Sequence, residues 1–165
     1  HGTGDLQLDL HARGFTPIGY DLSPHMGRIA SRKLKRRSII PRLIRGRVEA
    51  LPFQAASYDA IVCTFPTNFI ASPQTLAECH RVLRADGSMI VVLSGVFTTH
   101  GPITRLLELA YRITSQRESR TPQAELNTEL YAPLLERFSA AGFAARIQFE
   151  ACPRSKAVLI IAQKP

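Results

Sequence analysis

The chain has 165 residues, 45% of them hydrophobic, and a formal net charge of +8. That length suits a single domain, and no apolar run reaches the ~20 residues of a membrane span. Three cysteines, Cys63, Cys79 and Cys152, with no CxxC pair, argue against a disulfide framework or a zinc site.

The chain opens on His1-Gly2-Thr3-Gly4-Asp5, a glycine pair ahead of a helical pattern. Glycine lacks Cβ, so backbone amides there can approach a ligand, and the helix N-terminus favours an anionic group. Asp5 is expected to cap a helix that runs to about Arg13 and ends at Gly14 in a left-handed cap. Thr16 to Tyr20 reads as a short buried strand, and Asp21 follows at its tip. A carboxylate in that place can hold both hydroxyls of a ribose. Ser23-Pro24 is a strong helix start, and Met26, Ile29, Ala30 and Leu34 then share one face. The helix dissolves near Arg36.

Nine of the basic residues fall between Arg28 and Arg47 with no carboxylate among them. The run reads first as a solvated face and second as a nucleic-acid contact, although no aromatic residue in it could stack on a base. Arg42 to Arg47 should form the next strand, and Val48 to Phe53 a loop. Tyr58 to Cys63 is typical of a buried strand, and Pro66 stops it. Pro73 to Leu83 is a helix with Leu76, Cys79, His80 and Leu83 on its apolar side. Ala85-Asp86-Gly87 turns the chain into a strand over Ser88–Leu93. Ile103 to Ile113 carries a helical stripe, Gln116 to Pro122 a loop, and Glu125 to Ala141 a helix ended by Gly142. Phe143–Glu150 and Lys156–Gln163 are joined too tightly for a parallel crossover and should pair antiparallel. The expected fold is α/β: a Rossmann-like, mostly parallel sheet with helices on both faces, closed by an antiparallel hairpin.

In this order the pieces resemble a class I S-adenosylmethionine-dependent methyltransferase of the small-molecule type. His1-Gly2-Thr3-Gly4 resembles the end of that family's glycine-rich motif. Gly19-Tyr20-Asp21-Leu22-Ser23-Pro24-His25-Met26 resembles its second-strand acidic motif, and Val48 to Phe53 its adenine-side loop. Ser57 to Val62 and Leu76 to Arg84 are similar to its fourth-strand motif and the helix after it. The resemblance implies S-adenosyl-L-methionine as cofactor and methyl transfer to a small molecule. It implies that Gly2, Thr3 and Gly4 line the methionine and ribose, that Asp21 binds the ribose hydroxyls, and that Leu22 and Met26 pack on the adenine. Val48 and Glu49 would border the adenine edge, while Thr64, Phe65 and Pro66 would flank the sulfonium.

The chain departs from the family pattern in three places. Nothing precedes His1, so the first strand is expected to be missing and the chain to be a poorly stable piece of a longer protein. Arg47 stands where many relatives carry aspartate, and Ala85-Asp86-Gly87 replaces a Pro-Gly-Gly turn.

On this reading residues 1–165 are one methyltransferase domain, with 96–125 a lid or substrate segment. The protein would be cytoplasmic and hold no metal. No catalytic base stands out; His100 is a candidate, while His80, His25 and Asp59 read as structural or solvent-facing. Two alternatives remain. One is a non-catalytic module of the same fold that binds RNA through residues 28–47. The other is an NAD(P)-dependent oxidoreductase, disfavoured because Gln7 stands where that fingerprint needs a third glycine.

Overall fold

A computed structural model describes residues 1–97, 127–152 and 155–165. The expectations placed on His100, 103–113, 116–122 and most of 96–125 lie outside these residues. The described chain forms two compact units, His1–Phe53 and Gln54–Pro165.

The first unit holds α1 (Asp5–Ala12), β1 (Gly19–Asp21), α2 (Pro24–Lys35) and β2 (Leu43–Arg45). β1 and β2 pair in parallel, with Gly19 opposite Leu43 and Asp21 opposite Arg45. The cap of α1 is Gly4, in left-handed geometry, rather than Asp5. Asp5 is the first helical residue, and its exposed carboxylate instead takes the Lys33 ammonium at 2.7 Å. Gly4 is required sterically as well: an added Cβ would lie 2.9 Å from the Ala30 Cβ. Gly14 is left-handed, as expected. The strand expected over 16–20 is displaced to Gly19–Asp21, and of these only Gly19 is buried. Leu43 and the side chain of buried Gln7 crowd the hydrogen face of Gly19. The start of α2 is as read: the Ser23 hydroxyl accepts the Met26 amide, and Pro24 opens the helix. Ala30 and Leu34 are its buried residues.

The second unit is a four-stranded sheet in the order β3-β4-β6-β5. Its strands are β3 (Tyr58–Thr64), β4 (Leu83–Phe97), β5 (Ala144–Cys152) and β6 (Ser155–Gln163). β3 runs parallel to β4, while β6 pairs antiparallel with both β4 and β5. The closing hairpin is therefore antiparallel, as its short connection requires. Helices α3 (Pro73–Val82) and α4 (Ala132–Ala140) complete the unit.

Alternation along β4 and β6 buries Met89, Val91, Val158, Ile160 and Ala162, and the ladder sets Met89 against Ala162 and Val91 against Ile160. Leu76, Cys79 and Val82 of α3 and Phe138 of α4 are also buried. The Phe143 ring meets His80 and Phe138 at centroid distances of 5.1 and 6.0 Å, so the two helices are stitched through one aromatic residue.

Three expectations need correction here. Tyr58–Cys63 has a β-rich composition, but no residue of β3 is buried, because β3 is an edge strand of its sheet. Ala85-Asp86-Gly87 does not end a segment. It is an irregularity within β4, where Asp86 takes φ 61° and donates its amide to the Lys164 carbonyl at 3.0 Å, while the Lys164 amide donates to the Gly87 carbonyl at 2.9 Å. The helix expected from Glu125 starts at Ala132, since Pro133 fits only a first turn. A 3₁₀ turn over Thr128–Tyr131 precedes it, its Glu129 amide capped by Asn127.

Candidate cofactor site

Asp21 is the last residue of β1, and its carboxylate is already engaged. Oδ1 accepts the Ser23 amide at 2.8 Å, closing an Asx-type turn. Oδ2 accepts the Gly2 amide at 2.9 Å. Partial burial alone would raise its pKa. The hydrogen bonds from the Ser23 and Gly2 amides act against burial, and the net shift is downward. Asp21 is thus a carboxylate at neutral pH, and each oxygen keeps lone-pair capacity for a further donor.

The Gly2–Gly4 turn is closed by the Gly4 amide on the His1 carbonyl, 3.1 Å. Gly2 has φ 52° and faces open space where a Cβ would stand. No side chain caps α1, so its first amides remain available to an anionic or polar ligand. Thr3 turns its hydroxyl onto Asp5 at 2.8 Å.

Leu22 follows Asp21 directly, and Met26 lies in the first turn of α2. Leu22 is 53% exposed and Met26 half-buried. Its Oδ1-bonded turn is braced by Arg45, whose Nε donates to the Leu22 carbonyl at 3.1 Å. Val48 and Glu49 lie in the turn after β2, and hence at the carboxyl end of the same parallel pair as Asp21. Open α/β sheets place their ligands at that end. Arg47 pairs with Glu49 at 3.3 Å, so the residue that departs from the family pattern neutralises its neighbour.

Thr64 and Phe65 belong to the second unit. Thr64 ends β3, and Phe65 follows in left-handed geometry (φ 51°), its amide donating to the Val92 carbonyl at 2.8 Å. The Phe65 ring is 66% exposed, an unusual disposition for a large apolar side chain.

Sequence reasoning missed the supports. The Tyr20 hydroxyl donates to the Arg47 carbonyl at 3.2 Å, and a Cβ on Gly46 would stand 2.0 Å from that hydroxyl. Gly46 was the available signal: a glycine directly after a strand, where a neighbour's side chain takes the space. Of the other candidates, His25 is exposed, His80 packs on Phe143, and Asp59 pairs with Arg84. Among the described residues no group of three His, Cys, Asp or Glu side chains could hold a metal ion. Burial raises the Cys79 thiol to about 12 and also raises Cys63, so neither is a ready nucleophile.

A fixed carboxylate, an open glycine turn and an uncapped helix start fit the ribose and amino-acid ends of S-adenosylmethionine. A family model described as "Methyltransferase domain" matches residues 1–91. The demethylmenaquinone methyltransferase of Deinococcus radiodurans is 34% identical over 113 residues, covering 64% of this chain and 46% of that protein. That of Thermotoga maritima is 35% identical over 94 residues, covering 55% and 39%. The chain thus spans less than half the length of these curated relatives.

Two crystal structures share the fold at low identity. One is a protein of Pyrococcus horikoshii OT3 (TM-score 0.68, 16% identity, 99% of this chain and 80% of that one). The other is YcgJ of Bacillus subtilis (TM-score 0.68, 20% identity, 99% and 88%). The fold is Rossmann-like, and the chain belongs to the class I S-adenosylmethionine-dependent methyltransferase family.

Proposed function

We propose that the protein transfers a methyl group from S-adenosylmethionine to a small-molecule acceptor, and that the acceptor is an electron-rich ring of the quinol type. The first half rests on one observation: the Gly2 amide and the Asp21 carboxylate meet at 2.9 Å, so loop and acid form one preassembled nucleoside grip. The second half is supported by the demethylmenaquinone methyltransferases among the relatives. Residues 1–165 would serve as one catalytic domain in a cytoplasmic enzyme.

Bound S-adenosylmethionine supplies a sulfonium methyl poised for in-line displacement. The chain's own residues would then do the following work. Asp21 accepts both ribose hydroxyls. Gly2, Thr3 and Gly4 present backbone around the methionine end. Leu22 and Met26 sandwich the adenine, and the Val48 and Glu49 backbone borders its edge. The resemblance gives Thr64 and Phe65 to the acceptor side, where alignment would supply much of the rate. The cofactor would supply the methyl group and depart as its neutral thioether, and a ring-carbon acceptor would give up the displaced proton to solvent.

The test is transfer of labelled methyl from S-adenosylmethionine to a demethylated quinol by the whole protein. Label appearing in the quinol, and lost with Asp21→Ala, supports the proposal. Cofactor binding with no transfer to any quinol, but transfer to another acceptor, would overturn the acceptor assignment. Absence of cofactor binding would overturn the reaction. The oxidoreductase alternative gains no support: Gln7 fills the third-glycine position and is buried against Gly19.

A further inference from the structure

The unit His1–Phe53 holds ten Lys and Arg residues against four Asp and Glu, and none of those acids lies between positions 22 and 48. Helix α2 and strand β2 bank an open groove of about 490 Å³, which Asp21 also lines. Arg28, Ser31 and Arg32 stand on the helical bank, and Pro41, Ile44 and Arg45 on the other. Arg28 and Arg32 are exposed, one helical turn apart, and neither enters an ion pair among the described residues. Ile44 is exposed within the groove, and Ile40, 84% exposed, precedes Pro41 of the same bank in the chain.

Charge and apolarity therefore meet in the groove at Ile44, with Ile40 on the segment that leads into its β2 bank. Two exposed isoleucines next to a row of guanidinium groups give this strip an apolar component beside its charge. A single-stranded nucleic acid calls for rings that stack on bases, and residues 28–47 contain no aromatic side chain. Aliphatic side chains interleaved with guanidinium groups suit a different surface. There the head groups are anionic and the first carbons beneath them are apolar.

We propose that the α2–β2 face is a peripheral docking surface for anionic phospholipid membranes. Arg28, Arg32 and Arg45 pair with phosphodiester head groups, and Ile40 and Ile44 enter the interface. The attraction is electrostatic first, so it fades when salt shortens the Debye length. The proposal needs no particular methyl acceptor.

The experiment is sedimentation of the whole protein with vesicles of phosphatidylcholine alone and of phosphatidylcholine mixed with phosphatidylglycerol, at low and high salt. Binding is expected on the mixed vesicles only, and is released by salt. Each basic residue near such a surface is worth about fivefold in partitioning, so Arg28→Gln with Arg32→Gln lowers it at least about tenfold. Ile40→Asp, on an exposed loop residue that no core contact needs, lowers it severalfold. S-adenosylmethionine binding, measured alongside, reports an intact fold. The vesicle readout involves no methyl transfer, so failure of the reaction and failure of docking are separate results. Equal binding to both vesicle types, undiminished binding by the arginine pair variant, or retention on poly(U) RNA at a salt that frees the vesicles would each overturn the proposal.

Discussion

The Cβ that Gly4 lacks would lie 2.9 Å from the Ala30 Cβ and 3.1 Å from the Ala30 Cα. This contact seats the start of α1 on α2, and so sets where the Gly2 amide points. Gly4→Ala would push helix backbone apart and force alanine to φ 86°. The expected loss is about 1–3 kcal/mol, read from urea unfolding. Adding Ala30→Gly should remove the clash with the Ala30 Cβ but costs about 1 kcal/mol itself as a helix-interior glycine, so the double variant should recover only part of the loss.

Asp21→Ala should leave the strand in place and remove the ribose acceptor. Hydrogen bonds to a charged group contribute about 1.5–3 kcal/mol, which corresponds to roughly a ten- to hundredfold weaker S-adenosylmethionine affinity by calorimetry. Asp21→Asn should recover part of it, since one oxygen survives. An unchanged affinity in Asp21→Ala would show that the cofactor is held elsewhere.

His80 makes stability depend on pH in a predictable direction. Burial, and next the positive Lys164, lower its pKa below the ordinary value of about 6.5, with a Gly142 hydrogen bond opposing. The fold thus prefers neutral imidazole, and the unfolded chain binds more protons in that window. Stability is fully present above about pH 6.5 and is lost as pH falls toward the lowered folded pKa. His80→Gln should flatten the thermal midpoint against pH between about 5 and 7.

Lys164 donates to the carbonyls of His80 and Leu83, each at 2.8 Å, and so finishes the C-terminal end of α3. Lys164→Met keeps the aliphatic stem and removes the charge. It should lower stability by about 1–2 kcal/mol in chemical denaturation. The same variant removes a positive neighbour from His80, so the pH dependence above should weaken with it.

A Phe65 variant should separate folding from the proposed function. A bulky residue at φ 51° carries about 1–2 kcal/mol of backbone strain. Phe65→Gly should therefore hold or raise the unfolding midpoint while slowing methyl transfer. A variant with full activity would remove Phe65 from the acceptor side.

The parts legible in the sequence were those with local causes. Ser23-Pro24 had one reading as a helix start, and Gly14 and Gly142 as left-handed ends, because each signal lies within a turn of its effect. The antiparallel hairpin followed from a connection too short for any other pairing. Asp21 and Gly2 were legible together because both sit at element tips. The errors arose where a neighbour in space decides. Val62 looks like a core strand residue but lies on an edge strand. Asp5 has the chemistry of a cap but is drawn to Lys33, 28 positions away. Tyr20 and Arg45 brace the site through main-chain carbonyls, and nothing in their own sequence context announces a partner at Arg47 or Leu22.

The orientation of Asp21 is settled during folding, by amides from Ser23 and Gly2, before any nucleoside arrives. Two oxygens fixed in this way match a vicinal diol, and they leave no freedom to chase a single hydroxyl. A 2′-deoxy analogue of the cofactor would meet one unanswered lone pair, so the pocket should act as a sugar selector as well as an anchor.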